Sequence, residues 1–250
     1  IYVRLNRETA GFSSGTITHT SPGAVTNGLL VYGTAAESAG WTAYNDVAWV
    51  SGQPDFNITT YTLPDSGTPT GRLVDYHTGT EVPATVTITT SGSPSVQTMS
   101  GYSGAESSSG TDAYNTFHGI ADMAGVVSYG DSGWYVDLTF SGLSADQTYT
   151  FATTANRNDP AYEDRITRFI ISGVDSAVNA STPGVTVKSN EEVAFSTGSN
   201  TEKGYVARWT GINPGIDGTF SVRIQSDTSD RRAYGPSVFM LQAEGRLSRT

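Results

Sequence analysis

The stretch WYVDLTFSGLSADQTYTFATTANRNDPAYEDRITRFII, residues 134–171, decides the fold. Its first seven residues alternate apolar and polar side chains, and this period of two is that of a β-strand with one buried face. The alternation returns, less regularly, around Phe151 and Phe169. Residues 141–146, SGLSAD, are typical of a tight turn, whereas residues 157–165 combine five charges with a tyrosine. The stretch therefore predicts three β-strands joined by one turn and one charged loop.

The composition of the 250 residues favours an all-β protein. Long helices carry more Leu, Ala, Glu and Lys at a period of 3.6, whereas this chain is rich in Thr, Val, Tyr, Ser and Gly. After residue 173, five more segments of strand length are each bounded by Gly, Pro, Asn or Asp. No segment repeats at a fixed period, which argues against a solenoid or propeller. We expect an antiparallel β-sandwich of the jelly-roll type with an amino-terminal β extension.

One low-complexity segment, residues 91–111, bears on the domain organisation. Its Ser- and Gly-rich composition cannot bury enough apolar area to pack as an element. Either residues 1–250 form a single β-sandwich domain in which this segment is a long loop, or residues 1–90 form a small β domain and residues 112–250 the jelly roll. Aromatic residues resume directly after the segment, which favours the single domain.

The charge and the residue usage exclude several classes of function. A formal net charge of −10 disfavours nucleic acid, since nucleic-acid binding draws much of its affinity from Lys and Arg. The sequence has no apolar run long enough to span a membrane. It has no cysteine, which rules out disulfides and thiolate metal sites. These features favour a secreted or extracellular protein, and a chain that begins at Ile1 is expected to be a piece of a longer precursor.

Two segments echo one another and predict which loops are neighbours. Residues 138–151 and 207–222 share the order strand, glycine, apolar residue, turn, strand. We expect both turns to lie at the same end of the sandwich. Because antiparallel strands that leave those turns run to the opposite end, residues 157–165 and 226–234 should be neighbouring loops there.

Several motifs resemble those of a known class of module. They are LTFSGLSADQTYTF, ANR, YEDRITRFIISG, VAFSTGSNTEKGYVARWTGI and GTFSV, with YNDVAW, ITTYT, LVDYHTG and GTDAYNTFHGIAD upstream. Together they resemble the non-catalytic jelly-roll modules appended to secreted bacterial enzymes, including polysaccharide-degrading enzymes and phosphoesterases. The resemblance implies a carbohydrate-binding or accessory domain.

The two neighbouring loops are the strongest candidate for a binding site. Sugars are bound by stacking of their C–H faces on Tyr or Trp and by hydrogen bonds from charged and amide groups to their hydroxyls. The candidate ligand-binding residues are Arg157, Asp159, Tyr162, Arg165, Asp230, Arg231, Arg232 and Tyr234. The alternative is a solvated rim of charges, in which each ion pair contributes about 0–1 kcal/mol.

Three arginines, one of them already named above, lie within predicted strands, where a charge is less expected. They are Arg165, Arg168 and Arg208. We expect one or two of them to be buried and paired with Asp137 or Asp164, so that they hold the sheets together rather than bind ligand.

The sequence carries weak signals for metal binding and for catalysis. A structural calcium ion is a possible cofactor, and its candidate ligands in Gly- and Asn-rich turns are Asp46, Asp75, Asp112 and Asp122. The match to G-x-S-x-G at residues 11–15 is followed by a strand-like segment rather than a helix, so we interpret it as a coincidence. The three histidines lack zinc-site spacing, and no residue is assigned a catalytic role.

Three functions remain open on these observations. The first is a non-catalytic carbohydrate-binding module of a secreted multidomain bacterial enzyme, with a polysaccharide and the catalytic domain of the same longer chain as partners. The second is a structural or adhesive β-sandwich spacer without a small ligand. The third is a β-sandwich polysaccharide lyase or glycoside hydrolase, which ranks last because the sequence shows no acid/base constellation at matching spacing.

Overall fold

A computed structural model defines the fold. It describes residues 11–19, 22–23, 27–35, 40–46, 57–60, 70–91, 95–97, 104–128, 133–228 and 232–246. The strands are β1 (Gly11–His19), β2 (Asn27–Ala35), β3 (Thr42–Asp46), β4 (Thr59–Thr60), β5 (Thr70–Val74), β6 (Glu81–Ser91), β7 (Ser95–Gln97), β8 (Val126–Ser128), β9 (Tyr135–Ser141), β10 (Gln147–Thr154), β11 (Ile166–Ser172), β12 (Ser176–Asn179), β13 (Thr186–Ser189), β14 (Glu192–Ser196), β15 (Ala207–Asn213), β16 (Phe220–Ser226) and β17 (Val238–Arg246). The described ranges also contain one α-helix, α1 (Asp112–Phe117), and one 3-10 turn, Pro160–Tyr162.

The chain separates into two compact units. One consists of Ile1–Ala39 with Gly245–Thr250, and the other is Gly40–Glu244. The boundary between the two units thus lies between residues 39 and 40. Strand β3 belongs to one of the two large sheets and strands β5 and β6 belong to the other, and both sheets also contain strands that follow residue 134.

The first unit contains the β1–β2 hairpin, which is the predicted amino-terminal β extension. The two strands are antiparallel, and their register pairs Gly11 with Ala35 and His19 with Asn27. Because β1 runs as one strand through residues 11–19, the G-x-S-x-G match does not form the strand–turn–helix of a nucleophile elbow. The interpretation of that match as a coincidence is confirmed.

The second unit is the predicted β-sandwich. One sheet has the strand order β12-β15-β10-β17-β3-β4 and the other has the order β13-β14-β11-β16-β9-β6-β5. Eight strands form the jelly roll: β3-β17-β10-β15 in the first sheet and β9-β16-β11-β14 in the second. Taken in chain order, these eight strands give the two interlocked Greek keys of that fold. The jelly-roll prediction is confirmed.

The core between the sheets follows from the alternation in the sequence. Strand β9 buries Val136, Leu138 and Phe140 while its intervening side chains are half-buried. The Phe140 ring lies 5.5 Å from Phe151 and 5.0 Å from Phe220, measured between ring centroids. Aromatic pairs at such distances add about 0.5–1.5 kcal/mol each to the energy of burial. Phe151 belongs to the other sheet, whereas Phe220 is the register partner of Phe140 in the same sheet, so aromatic contacts join the two sheets as part of a larger apolar core.

A second apolar cluster covers the outer face of the first sheet. Helix α1 buries Ala113 and Phe117, which pack in one cluster with Ala152 of β10 and with Val238 and Met240 of β17. These strand residues alternate with neighbours that face the other core. The outer face of the six-stranded sheet is thus covered by protein at this position.

The helix begins at a capping residue that the sequence analysis did not identify. The Thr111 hydroxyl accepts a hydrogen bond from the Tyr114 N–H, 3.4 Å away, and Asp112 places a negative charge in the first turn. Both features stabilise a helix amino terminus. With only six residues, α1 shows too little of a 3.6-residue period to be recognised in the sequence.

The low-complexity segment is fixed by polar contacts where the structure describes it. Strand β7 pairs with β8. Further on, the Gly104 N–H donates to the Ala124 carbonyl at 2.8 Å, and the Ser107 hydroxyl donates to the Asn200 carbonyl at 3.2 Å. Gly104 and Ser107 are buried. The segment therefore packs through hydrogen bonds rather than through buried apolar area.

The two turns of the internal echo lie together, as predicted. The Leu143 N–H donates to the Gly218 carbonyl at 3.1 Å. We call this end of the sandwich the turn pole. We call the opposite end the loop pole; it holds residues 155–165 and the start and end of the loop 226–234.

Candidate functional site

Two tyrosines from different loops meet at the loop pole. The ring centroids of Tyr162 and Tyr234 are 6.3 Å apart, and the rings are tilted by 46°. The guanidinium carbon of Arg165 lies 4.7 Å from the centroid of the Tyr162 ring, and that of Arg157 lies 5.9 Å from it. The juxtaposition of the two loops that the sequence predicted is therefore observed. We call Arg157, Asp159, Tyr162, Arg165 and Tyr234 the tyrosine–arginine cluster.

The loop that carries Tyr162 is ordered by its own hydrogen bonds. Asp159 caps the 3-10 turn, because its carboxylate accepts from the Ala161 N–H at 3.0 Å. The Tyr162 N–H donates to the Asp159 carbonyl at 2.9 Å, and the Arg165 N–H donates to the Tyr162 carbonyl at 2.9 Å. Asp159 thus has a structural role in addition to any contact with a ligand.

The same loop is attached to the segment that follows β14. The Arg157 N–H donates to the Thr197 carbonyl at 2.8 Å, and the Asp159 N–H donates to the Gly198 carbonyl at 2.9 Å. A Cβ atom at Gly198 would lie only 1.8 Å from the Tyr162 carbonyl oxygen. Residue 198 must therefore be glycine for the loop to approach this closely.

The backbone of Tyr234 is fixed by two buried threonines. The Tyr234 N–H donates to the Thr197 hydroxyl at 3.1 Å, and the Thr167 hydroxyl donates to the Tyr234 carbonyl at 2.8 Å. The two hydroxyl oxygens are 2.7 Å apart. Thr197 therefore contacts both loops and sets their separation. The sequence analysis missed Thr197 and Gly198, because neither residue type carries a signal for contacts with loops so distant in the chain.

The Tyr234 side chain differs from the expectation for a ligand-stacking residue. Only 7% of the residue is exposed, so its ring face cannot serve as a platform for a sugar. Burial raises the pKa of its phenol, although the charges of Arg165 and Arg157 act in the opposite direction. No described residue forms a hydrogen bond with its hydroxyl. Tyr234 therefore contributes mainly packing against Tyr162, and Tyr162, which is half-buried, offers the more accessible ring.

Three other arginines are held in ion pairs. Each donates two hydrogen bonds of 2.7–3.0 Å to one carboxylate. The pairs are Arg168 with Glu192, Arg208 with Asp112, and Arg223 with Asp137. Each pair joins adjacent strands of one sheet, or α1 to β15, rather than the two sheets. For Arg168 and Arg208 the partner is neither Asp137 nor Asp164, so that predicted pairing is wrong for these two, whereas Arg165 does lie 3.9 Å from Asp164. Sequence alone cannot rank the many acids within reach of a given arginine.

Arg165 behaves differently from these three. Its nearest carboxylate is that of its neighbour Asp164, with 3.9 Å between nitrogen and oxygen, which is beyond hydrogen-bond distance. The guanidinium donates no hydrogen bond to a described residue, although its side chain is only 24% exposed. The guanidinium thus lies over the Tyr162 ring, and its N–H groups form no hydrogen bond within the described part of the chain.

Of the remaining candidates for ligand binding, the structure describes Arg157 and Arg232. The Arg157 side chain is 10% exposed and lies 3.9 Å from the Asp159 carboxylate, so it contributes charge from below the surface. Arg232 is exposed. Asp230 and Arg231 lie outside the described residues.

A shallow depression of about 160 Å³ lies at the start of the second loop. Its lining consists of Gly133, Trp134, Arg168, Gln225, Ser226, Asp227 and Thr228. Its charged groups are already paired: Asp227 contacts Lys188, and its carboxylate lies 3.8 Å from Arg168. A ligand in this depression would therefore contact hydroxyl groups, such as those of Ser226 and Thr228, rather than an unpaired charge.

The four aspartates predicted to bind calcium do not form one site. Asp112 is paired with Arg208, and Asp75 accepts hydrogen bonds from Thr78 and from the Thr42 N–H. Desolvation raises the pKa of Asp75, but these hydrogen bonds together outweigh it and hold the pKa below its usual value. The other two are neighbours, since the Asp122 N–H lies 3.4 Å from an Asp46 carboxylate oxygen. No three acidic or histidine side chains of the described ranges form a metal-binding group, and calcium stays a prediction.

The histidine of α1 has an acidic partner that the sequence did not reveal. The His118 Nδ1 atom lies 2.9 and 3.0 Å from the two Glu106 carboxylate oxygens. Its ring stacks on Tyr114, with 4.1 Å between centroids and 13° between planes. The contact attaches the end of the low-complexity segment to α1.

Comparisons with protein-family models, curated proteins and solved structures gave no match. Within the described ranges, no helix has the length and apolar character that membrane crossing requires.

Proposed function

We propose that this chain is a non-catalytic carbohydrate-binding module, and that it binds glycan at the loop pole through the tyrosine–arginine cluster. The observation that carries the proposal is the position of Arg165, 4.7 Å from the Tyr162 ring centroid and without a hydrogen bond to the described protein. A half-exposed aromatic ring beside unengaged donors is the chemistry that protein sites use for sugars.

Each member of the cluster has a distinct part in this proposal. The accessible part of the Tyr162 ring stacks on the C–H face of a pyranose. The Arg165 guanidinium donates to sugar oxygens, and the Asp159 carboxylate, whose side chain is one-third exposed, accepts from a sugar hydroxyl. Arg157 and Tyr234 lie beneath these groups and keep the ring and the charge in place.

The affinity expected of such a site is modest. One stacking ring and two or three hydrogen bonds must offset the entropy cost of association. We expect dissociation constants on the order of 0.1–1 mM, about 4–5.5 kcal/mol. In a longer secreted enzyme, such a module keeps the catalytic domain of the same chain close to a polysaccharide, where attachment through two modules multiplies weak affinities.

The second candidate function, a structural or adhesive spacer, is favoured by the burial of Tyr234 and Arg157. In that case the cluster is a packed rim that fixes the two loops. Binding experiments separate the two functions, because a spacer without a small ligand retains no polysaccharide.

The test is affinity electrophoresis against a panel of neutral and acidic polysaccharides with wild type and two variants. We expect retention of wild type, which Tyr162→Ala removes. Tyr135→Ala is the matched control: Tyr135 also stacks on an arginine, Arg223, with 4.2 Å from guanidinium carbon to ring centroid, but that arginine is bound to Asp137.

Three outcomes contradict the proposal. If wild type is not retained by any polysaccharide, or if Tyr162→Ala is retained like wild type, the cluster is not a glycan site. If incubation releases reducing ends or unsaturated sugars that absorb in the ultraviolet, the chain is a hydrolase or lyase instead.

A further inference from the structure

The unengaged groups at the loop pole point to a particular class of glycan. We infer that the site recognises the carboxylate of an acidic sugar, such as a uronic acid, and that the Arg165 guanidinium and the hydroxyls of Tyr162 and Tyr234 are its donors. This inference rests on the proposed function and names the ligand class for the same site.

The first argument is the contrast among the arginines. Arg168, Arg208 and Arg223 each hold a carboxylate with two hydrogen bonds. With a side chain that is 24% exposed, Arg165 is about as sheltered as Arg168 and Arg208, at 27% and 22%, yet its guanidinium donates no hydrogen bond to a described residue. A planar carboxylate is the partner that matches the fork of N–H groups in a guanidinium. A carboxylate from another molecule is therefore a partner that the Arg165 guanidinium is suited to bind.

The second argument is the state of the two phenols. Tyr234 is more than nine-tenths buried as a residue, but its hydroxyl is not among the buried polar atoms that lack a partner, so the hydroxyl reaches the surface at the loop pole. Neither its hydroxyl nor that of Tyr162 forms a hydrogen bond with a described residue. The Tyr234 ring lies 6.3 Å from the Tyr162 ring, and the Arg165 guanidinium lies 4.7 Å from the same Tyr162 ring, so the three side chains belong to one cluster. A bound carboxylate oxygen would satisfy donors from both residue types at once.

The third argument is that the nearby acids do not fill the position. Asp164 is the nearest carboxylate to Arg165, and its side chain is 60% exposed, so that its 3.9 Å ion pair is weak. Asp159 is directed to the Ala161 N–H and to Arg157. Glu163 is exposed. Among the described acids, a ligand carboxylate at Arg165 therefore competes with one solvated ion pair.

The net charge of the protein determines which probe is suitable. A net charge of −10 repels a long polyanion at a distance. A short acidic oligosaccharide carries fewer charges and is repelled less at long range. Its direct contact with the sheltered guanidinium is weakened less by salt than this long-range repulsion. Tri-galacturonate and its carboxyl-reduced counterpart, in which each carboxylate is a primary alcohol, form a matched pair of ligands.

The experiment measures the affinity of wild type and variants for both trisaccharides by titration calorimetry or by NMR shift titration. For wild type, we expect tri-galacturonate to bind at least about tenfold more tightly than the reduced sugar, because a charge-assisted hydrogen bond is worth more than a neutral one. In Arg165→Gln the ratio should fall to about one. Arg165→Lys should keep part of it, since an ammonium carries the charge without the fork.

Arg72→Gln is the matched control, because it removes one positive charge from a side chain that is 56% exposed and lies outside the cluster. It should keep the full preference. Thermal unfolding of each variant shows whether the fold is intact, and if Arg165→Gln does not fold, Arg165→Lys and Tyr162→Phe carry the test.

The outcomes separate this inference from the proposed function. If wild type binds both sugars equally, or if Arg165→Gln keeps the preference for the acid, the inference is overturned and the glycan-binding function stands. If no saccharide of the neutral and acidic panel binds, the proposed function fails, and the inference fails with it.

Discussion

Replacement of Gly198 by alanine tests whether the loop pole is built as described. The new Cβ atom would lie 1.8 Å from the Tyr162 carbonyl oxygen, 2.6 Å from its carbon and 2.8 Å from the Tyr162 Cβ atom. Contacts of Cβ atoms below 3.0 Å are essentially never observed. The Tyr162 backbone must therefore retreat by more than about 1 Å, because its neighbours in the clash are backbone atoms that cannot rotate away.

The magnitude follows from the hydrogen bonds that such a retreat breaks. They are the Arg165 N–H to Tyr162 carbonyl bond and the Asp159 N–H to Gly198 carbonyl bond, both 2.9 Å long. At about 1 kcal/mol each, the loss is about 2 kcal/mol, which for a unit of this size lowers Tm by roughly 4–8 °C. In the variant, amide hydrogen exchange should be faster across residues 157–165. Any glycan binding at the cluster should be weaker than in wild type.

Gly218→Ala is the control for Gly198→Ala, because it introduces a comparable clash at the other pole. Its Cβ atom would lie 2.4 Å from the Leu143 carbonyl oxygen, and its φ of +61° adds strain. This variant should lose stability without faster exchange in residues 157–165 and without a change in binding. If Gly198→Ala has the Tm and the exchange rates of wild type, the described approach of the two loops is wrong.

Three further predictions concern other parts of the second unit. Asp112→Ala removes the carboxylate that holds Arg208, so we expect a loss of about 2 kcal/mol of unfolding free energy in denaturant titrations, and little further loss on adding Arg208→Met. The folded state lowers the pKa of Asp75. The stability that Asp75 contributes is therefore present above the unfolded pKa of about 3.9 and is lost as the pH falls through the folded pKa. The unfolding free energy of wild type should accordingly decrease more steeply below about pH 4 than that of Asp75→Asn. Tyr234→Phe should change stability by less than about 0.5 kcal/mol, whereas Tyr149→Phe should cost about 1 kcal/mol, since the Tyr149 hydroxyl accepts from the Ser144 N–H at 2.8 Å; equal losses in calorimetric scans would show that the Tyr234 hydroxyl has a partner in the protein.

The parts of the fold that could be predicted from the sequence are those fixed by local patterns. The alternation in residues 135–141 predicts β9 because a period of two determines which side chains face a core. The echo between residues 138–151 and 207–222 predicts the turn pole, since similar turns between antiparallel strands are placed alike. From these two features the positions of Tyr162 and Tyr234 follow without knowledge of any long-range contact.

The parts that could not be predicted depend on contacts between distant residues. Arg208 and Asp112 are 96 positions apart, and nothing in the sequence distinguishes Asp112 from the other acids. The burial of Tyr234 was also hidden, because its loop is polar while its backbone is drawn inward by Thr167 and Thr197. Solvent exposure of a loop residue depends on such anchors rather than on the composition of the loop.

The cover that α1 places on the six-stranded sheet limits how a polymer can approach this protein. With Phe117 and Ala113 packed over Ala152 and Met240, the part of that sheet beneath α1 is closed to a sugar chain. On the proposed function, a glycan at Tyr162 would contact the loop pole at the end of the sandwich rather than the sheet beneath α1. Affinity should then stop increasing once an oligosaccharide is longer than this end of the protein, which titrations with sugars of increasing length would measure.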